Sequence, residues 1–215
     1  MSLAARQPAP KGAARAVVFL TVGFLGALAF AIPPAPVDVQ ASERRGYVES
    51  FARFSDRLAD LLAAGGYSFL ALDLASAPSG SADFWKTQLA RVQKRRFKVW
   101  GWLPSGMDRA RAEKLVQDLN LEGLFVGGPD AAAAAAAASS WKPGLPVLEV
   151  VDERDPRAPS ASCVAMSPET FAACFRDPGA RLRDVPMKVL RAGGLDAGRV
   201  LALRAGATGD YLVLR

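Results

Sequence analysis

Three carboxylates in otherwise apolar segments are the residues best suited to chemistry. Asp73 lies near the end of the hydrophobic run 67–74, Glu149 interrupts the run 145–151, and Asp152 follows that run directly. A buried carboxylate is costly unless it is paired or functional. Since glycosidases use two carboxyls about 5–10 Å apart, Asp73 with Glu149 or Asp152 is a candidate catalytic pair. The structural alternative is that Asp73 caps the following loop and Glu149 pairs with an arginine.

Two tryptophans and one loop are the candidate ligand contacts. Trp100 and Trp102 share one face of an apolar segment, and such a pair serves either as an aromatic platform for a sugar or as core. The loop Gly127-Gly128-Pro129-Asp130 precedes eight alanines and predicts the start of a helix. Asp130 is a candidate ligand contact, but its charge at the helix N-terminus opposes an anionic ligand. This favours a structural helix over a phosphate cradle.

The composition excludes several classes of site. The chain has no histidine, which removes Ser-His-Asp and Cys-His catalysis, the HExxH zinc helix and every histidine-ligated metal site. Neither a dinucleotide fingerprint nor a P-loop is present, so we predict no cofactor and no metal. Three of the 27 basic residues precede Asp38, the first acid, so half of the net charge of +6 lies in the N-terminal tail. With no recognition motif in the body, we expect no nucleic-acid partner.

Strands and helices alternate along the body of the chain. A first helix is predicted from Ser42, with an apolar stripe from Tyr47 to Leu62 that ends at Gly65. Further helices are predicted at 84–96, 109–119, 168–175 and 195–205, besides the alanine segment. Apolar runs predict strands at 67–74, 98–104, 121–128, 145–151, 162–167 and 211–215, with a less regular one at 186–190.

This alternation, with mostly continuous hydrophobic strands, is typical of a parallel sheet covered on both faces. Either a (β/α) barrel or an open doubly wound sheet fits. Fewer residues follow the N-terminal segments than the ~200 of a full eightfold barrel, and only six or seven strands are predicted. We therefore predict an α/β fold, a truncated or degenerate (β/α)-barrel-like domain over residues 42–215. In a barrel, Asp73 would project inward near the C-terminal mouth.

The segment 68–130 resembles successive units of glycoside-hydrolase-type barrels. The similarity lies in "FLALDLASAPSG", "RRFKVWGWLPSG" and "LNLEGLFVGGPD". The resemblance implies a barrel with an aspartate, here Asp73, ending an early strand. The third segment is also similar to the end of glycerophosphodiester phosphodiesterase barrels, although the paired histidines of that family have no counterpart here.

The N-terminus has the pattern of an export signal. Three bases without an acid precede an uncharged apolar run from Ala16 to Ile32, and Ala29-Phe30-Ala31 fits a cleavage site. Residues 1–32 are predicted to be a signal peptide or a retained signal anchor with the N-terminus inside. Residues 33–41 form a Pro-rich linker. Either way the domain is expected outside the cytoplasm.

Two cysteines in an exported chain suggest a disulfide between Cys163 and Cys174. Cys174 shares a predicted helical face with Phe171 and Phe175, and two buried free thiols are the alternative. Taken together, the sequence predicts an exported, non-catalytic barrel-like domain whose partner is a carbohydrate or an envelope protein. The N-terminal segment would contact the membrane if it is not cleaved. The alternative function is a carbohydrate-active hydrolase.

Overall fold

The computed structural model describes residues 43–79, 82–94 and 97–214, in which eight strands alternate with six α-helices. The strands are Arg45–Ser50 (β1), Phe69–Asp73 (β2), Lys98–Pro104 (β3), Leu124–Gly127 (β4), Val147–Asp152 (β5), Cys163–Met166 (β6), Met187–Arg191 (β7) and Asp210–Leu214 (β8). The helices are Asp56–Ala64 (α1), Ala82–Lys94 (α2), Arg109–Asp118 (α3), Ala131–Ala138 (α4), Pro168–Arg176 (α5) and Ala197–Ala205 (α6).

All eight strands form one closed parallel barrel in chain order, with β8 pairing β1. The helices pack on its outer surface through apolar stripes such as Leu89 and Val92 of α2. Between β5 and β6 the chain forms the 3-10 turn Ala158–Ser160 in place of an α-helix. The predicted parallel α/β barrel is therefore confirmed, and it closes with eight strands rather than six or seven.

The strand missed in the sequence is β1. The spacing of Tyr47 and Phe51 predicted a helix from Ser42, but this stretch pairs with β2 on one side and β8 on the other. Barrel closure gives both edges of β1 hydrogen-bond partners, which outweighs the local helical periodicity. The helix begins only at Asp56, where the Ser55 side chain accepts a hydrogen bond from the backbone N–H of Leu58 at 3.1 Å.

Aromatic rings fill the lower interior of the barrel. Phe69, Trp100 and Phe125 form one group with ring centroids 4.9–6.0 Å apart. Glycines make room for them: a Cβ on Gly46 would lie 2.0 Å from the Phe69 ring, and one on Gly123 would lie 2.4 Å from the Trp100 ring. The interior is a packed core below the mouth rather than a pore.

The alanine segment forms α4, and its buried residues Ala131 and Ala138 pack toward the barrel. The helix begins at the first alanine of the segment, and Asp130, the last residue of the predicted loop, is its N-cap. The predicted signal or anchor (residues 1–32) and linker (33–41) lie outside the described residues. Within residues 43–79, 82–94 and 97–214, no helix has the length and apolar character required to span a membrane.

Candidate functional site

Two adjoining cavities open at the barrel mouth, where the parallel strands end. The first, called the Arg191 cavity, has a volume of about 470 Å³, and its lining includes Gly127, Glu149, Asp152, Arg157 and Arg191. The second, called the Asp73 cavity, has a volume of about 610 Å³, and its lining includes Glu49, Ser50, Arg53, Asp73 and Pro104. Trp102 and Leu214 line both cavities. Their volumes lie within the range of small-molecule sites.

Asp73 ends β2 on its inward face. Its neighbours on that face, Phe69 and Ala71, belong to the interior cluster. One carboxylate oxygen accepts a hydrogen bond from the backbone N–H of Ala75 at 3.1 Å, and so caps the turn that follows β2. Partial burial raises the pKa of Asp73 above its ordinary value, and the Ala75 hydrogen bond opposes this rise. None of the ion pairs among the described residues involves Asp73.

Trp102 is the register partner of Asp73 on the neighbouring strand β3. Its ring lies over Gly127 of β4, where a Cβ would be 2.7 Å from the ring carbon Cζ2. A glycine at this position therefore allows the indole to lie across the mouth. Trp100, two residues earlier on the same face, is only 8% exposed and lines neither cavity. It supports the floor beneath the mouth and is not placed to contact a ligand.

Asp152 is held from two sides at the end of β5. One of its oxygens accepts from the backbone N–H of Arg154 at 2.9 Å, and the other pairs with the Arg191 guanidinium. The Arg154 hydrogen bond and then Arg191 lower the pKa of Asp152. The sequence offered no direct signal for this pair, since 39 positions separate its members. Arg191 was missed because the predicted strand ended at Leu190.

Glu149 lies on the outer face of β5, with Val147 and Val151, which pack in the outer cluster. Its carboxylate forms an ion pair with Arg157 at 3.1 Å, and Arg157 also binds Asp155 at 2.8 Å. Glu149 therefore contributes to the rim of the Arg191 cavity and does not project into the barrel as Asp73 does. The structural alternative from the sequence, a Glu149–arginine pair, is present.

Asp130 does not join the mouth. It is exposed, its side chain makes no capping hydrogen bond, and it borders a cleft of about 200 Å³ between α3 and α4. Met107, Ala134 and Trp141 contribute to the apolar lining of that cleft. Asp130 itself lines neither mouth cavity, although its chain neighbours Pro129 and Ala131 line the Arg191 cavity together with Trp102.

The predicted disulfide is wrong, because Cys163 and Cys174 are both free. Cys163 points into the barrel interior, whereas Cys174 packs in the outer cluster, with its Sγ 3.9 Å from the Met166 sulfur. The sheet thus separates the two side chains. Burial raises the pKa of both thiols, which makes them poor nucleophiles.

A metal centre is not evident among the described residues, where no three His, Cys, Asp or Glu side chains come together to hold an ion. The mouth instead combines an indole face, a set of paired charges, and two carboxylates, Asp73 and Glu49, that form no ion pair with the described residues. Such an arrangement can bind a polar ligand that has an apolar face.

No protein-family model matches the chain, and no curated protein matches it in sequence. The chain is similar in structure to the YdjI aldolase from Escherichia coli K12, with a TM-score of 0.50, 14% identity and coverage of 80% of this chain and 75% of that one. The chain is also similar to a D-psicose 3-epimerase, with a TM-score of 0.45, 13% identity and coverage of 79% of this chain and 84% of that one. A third similar structure is the HpcH/HpaI aldolase from Desulfitobacterium hafniense DCB-2, with a TM-score of 0.47, 12% identity and coverage of 80% of this chain and 86% of that one.

These three structures are enzymes, but sequence identities of 12–14% indicate a shared fold only and not a shared activity. The resemblance to glycoside-hydrolase-type barrels is supported only at the level of the barrel. By its closed sheet of eight parallel strands with alternating helices, and by its likeness to the first of these structures, the chain has a TIM-barrel fold.

Proposed function

We propose that the chain is an exported or membrane-anchored barrel domain that binds a carbohydrate at its mouth without hydrolysing it. The observation that carries this proposal is the position of Trp102, which lines both cavities. A sugar ring has an apolar C–H face that packs on an indole and a rim of hydroxyls that donate and accept hydrogen bonds. Trp102 offers the platform, and the polar groups around it offer partners for the hydroxyls.

Two features favour binding over hydrolysis. Both oxygens of Asp152 are engaged, one by the Arg154 backbone and one by Arg191, so this carboxylate is poorly suited to act as a nucleophile or base. Glu149 is held by Arg157 on the outer face of β5. Neither carboxylate is therefore an unengaged partner for Asp73, although a glycosidase needs both members of its pair facing one substrate.

Export is supported by the base-only tail and the uncharged run from Ala16 to Ile32. N-terminal sequencing of the protein from its native host would separate cleavage after Ala31 from a retained anchor. Recovery of the intact chain from the cytoplasm as soluble protein would refute both forms of the export proposal.

Binding is tested by titration calorimetry with β-1,4-linked oligomers of glucose, glucosamine and N-acetylglucosamine. We expect at least one series to bind, and Trp102→Ala to weaken that binding at least tenfold, because an anchoring aromatic ring carries much of the energy of such a contact. Trp102→Phe should retain part of the affinity. Phe84→Ala is the control, since this exposed aromatic residue lies on α2 and lines neither cavity. Equal losses in the Trp102→Ala and Phe84→Ala variants would contradict the proposal.

One observation favours the second candidate, a carbohydrate-active hydrolase. The pKa of Asp73 is raised and that of Asp152 is lowered, which is the division expected of a general acid and its ionised partner. Release of reducing ends from the same oligomers, abolished in Asp73→Asn, would favour the hydrolase. We expect no release by either protein.

A further inference from the structure

We infer that the Asp73 cavity receives a protonated amine, so that the carbohydrate bound at the mouth is an amino sugar with a free amino group. This inference rests on the proposed function and names the ligand class of the same site. It is carried by three observations: Asp73 forms no ion pair within the described part of the chain, it lies beside Trp102 on the neighbouring strand, and the two cavities differ in charge balance.

The Asp73 carboxylate has no cationic partner among the described residues. The one hydrogen bond that it accepts from these residues comes from the Ala75 backbone, which leaves further acceptor positions on the two oxygens. Partial burial makes an unpaired charge unfavourable, so a ligand cation that approaches this carboxylate relieves a cost already present in the free protein. A neutral hydroxyl relieves less of it.

Trp102 strengthens the same preference. The Cα atoms of Asp73 and Trp102 are register partners on β2 and β3, and both residues line one cavity. A cation near the face of an indole is attracted by the negative charge of the ring face, most strongly for tryptophan. An ammonium group on a sugar that stacks on Trp102 can therefore meet the ring and the carboxylate at once.

The two cavities differ in charge balance. In the Arg191 cavity the acids are already paired, Asp152 with Arg191, and Glu149 and Asp155 with Arg157. The Asp73 cavity holds two carboxylates, Asp73 and Glu49, against the single guanidinium of Arg53. Among the described residues, Glu49 accepts hydrogen bonds only from the backbone N–H and the hydroxyl of Ser50. A bound ligand should thus place its amine in the Asp73 cavity and its neutral hydroxyls in the Arg191 cavity.

The test compares three dimers with the same β-1,4 skeleton: the glucosamine dimer, the N-acetylglucosamine dimer and the glucose dimer. Titration calorimetry at about pH 6 keeps the amine protonated and leaves most carboxylates ionised. We expect wild type to bind the glucosamine dimer about tenfold more tightly than the glucose dimer, and Asp73→Asn to remove this preference while it still binds the glucose dimer.

Asp177→Asn is a matched control. The Asp177 carboxylate also accepts a hydrogen bond from a backbone N–H two residues later, that of Gly179 at 2.8 Å, but it lies after α5 and lines neither cavity. This variant should keep the amine preference. Thermal unfolding of each variant confirms that the barrel is intact, and Asp73→Asn retains an oxygen that can accept from Ala75.

The outcomes separate the two proposals. Trp102-dependent binding of all three dimers with equal affinity would overturn the amine inference and leave carbohydrate binding in place. An amine preference that survived in Asp73→Asn would also overturn the amine inference alone. If no dimer or longer oligomer binds wild type, both proposals fail.

Discussion

Asp73 and Trp102 are directly paired in register on β2 and β3, at the end of the barrel where both strands finish. The sequence placed one among the candidate acids and the other among the candidate sugar platforms, without relating them. In the structure they line a single cavity. This pairing makes the mouth a site in which an aromatic face and an acidic group act on the same ligand.

The position of the Trp102 ring depends on Gly127. A Cβ at residue 127 would lie 2.7 Å from the ring, so Gly127→Ala should displace the indole and weaken carbohydrate binding several-fold. Overpacking should also lower the free energy of unfolding by about 1–3 kcal/mol. Gly106→Ala is the control, because a Cβ there meets no atom within 4 Å. Unchanged affinity in Gly127→Ala would show that the ring position does not matter for binding.

Gly123 lies below the mouth of the barrel, so its replacement should change the stability of the protein and not its carbohydrate binding. A Cβ on Gly123 would lie 2.4 Å from the ring of Trp100, which packs against both Phe69 and Phe125. We expect Gly123→Ala to lower the free energy of unfolding by about 1–3 kcal/mol or more, measured by urea denaturation. Gly193→Ala, at a position with open space around it, should change it little. Wild-type stability in Gly123→Ala would argue against the close-packed interior.

Asp73 should make stability fall as pH rises. Its pKa is raised in the folded state by burial, so the folded protein holds this proton to a higher pH than the unfolded chain, whose aspartates titrate near about 3.9. The free energy of unfolding therefore decreases as pH rises from that value through the folded pKa. Asp73→Asn removes this loss, so the variant should gain stability relative to wild type as pH rises from about 3.9, the unfolded value, through the raised folded pKa.

Glu49 and Arg53 line the same cavity in both proteins, so the comparison with wild type isolates Asp73. Asp152→Asn should change the pH dependence of the free energy of unfolding in the opposite direction. The pKa of Asp152 is lowered by the Arg154 backbone and Arg191, so its contribution is present above the unfolded pKa and is lost as pH falls through the folded pKa. The same direction of change in both variants would contradict these assignments.

Much of the barrel could be predicted from local sequence. The strand at 98–104 was predicted with its observed limits, and the inward orientation of Asp73 followed from strict alternation along β2. The outward orientation of Glu149 was harder to predict from the sequence. Strand β5 is apolar on both faces and lacks the alternation that would distinguish the inner face from the outer one.

Three features depended on long-range pairing. Residues Arg45–Ser50 form β1 because β2 and β8 pair with its two edges. The Asp152–Arg191 ion pair joins two strand ends far apart in the chain. Cys163 and Cys174 are close in sequence, but the sheet lies between them, since one faces the barrel interior and the other the helices. No local pattern identifies any of these three relationships.

The cysteines give a separate check of the barrel. Both are buried and free, and burial raises the pKa of both. We expect neither thiol to react with iodoacetamide in the folded protein and both to react after denaturation without reductant. A mass difference of two hydrogens between reduced and unreduced protein would reveal a disulfide and contradict the placement of these side chains on opposite faces of the sheet.

The central claim, that a carbohydrate binds against Trp102, is tested most directly by NMR of the four tryptophan indole N–H groups, each assigned by a Trp→Phe variant. During titration with the glucosamine dimer we expect the Trp102 signal to shift and to saturate, while the signals of Trp141 and Trp85 stay in place. Shifts confined to Trp141 or Trp85, or no shift of Trp102 at any oligomer concentration, would contradict it.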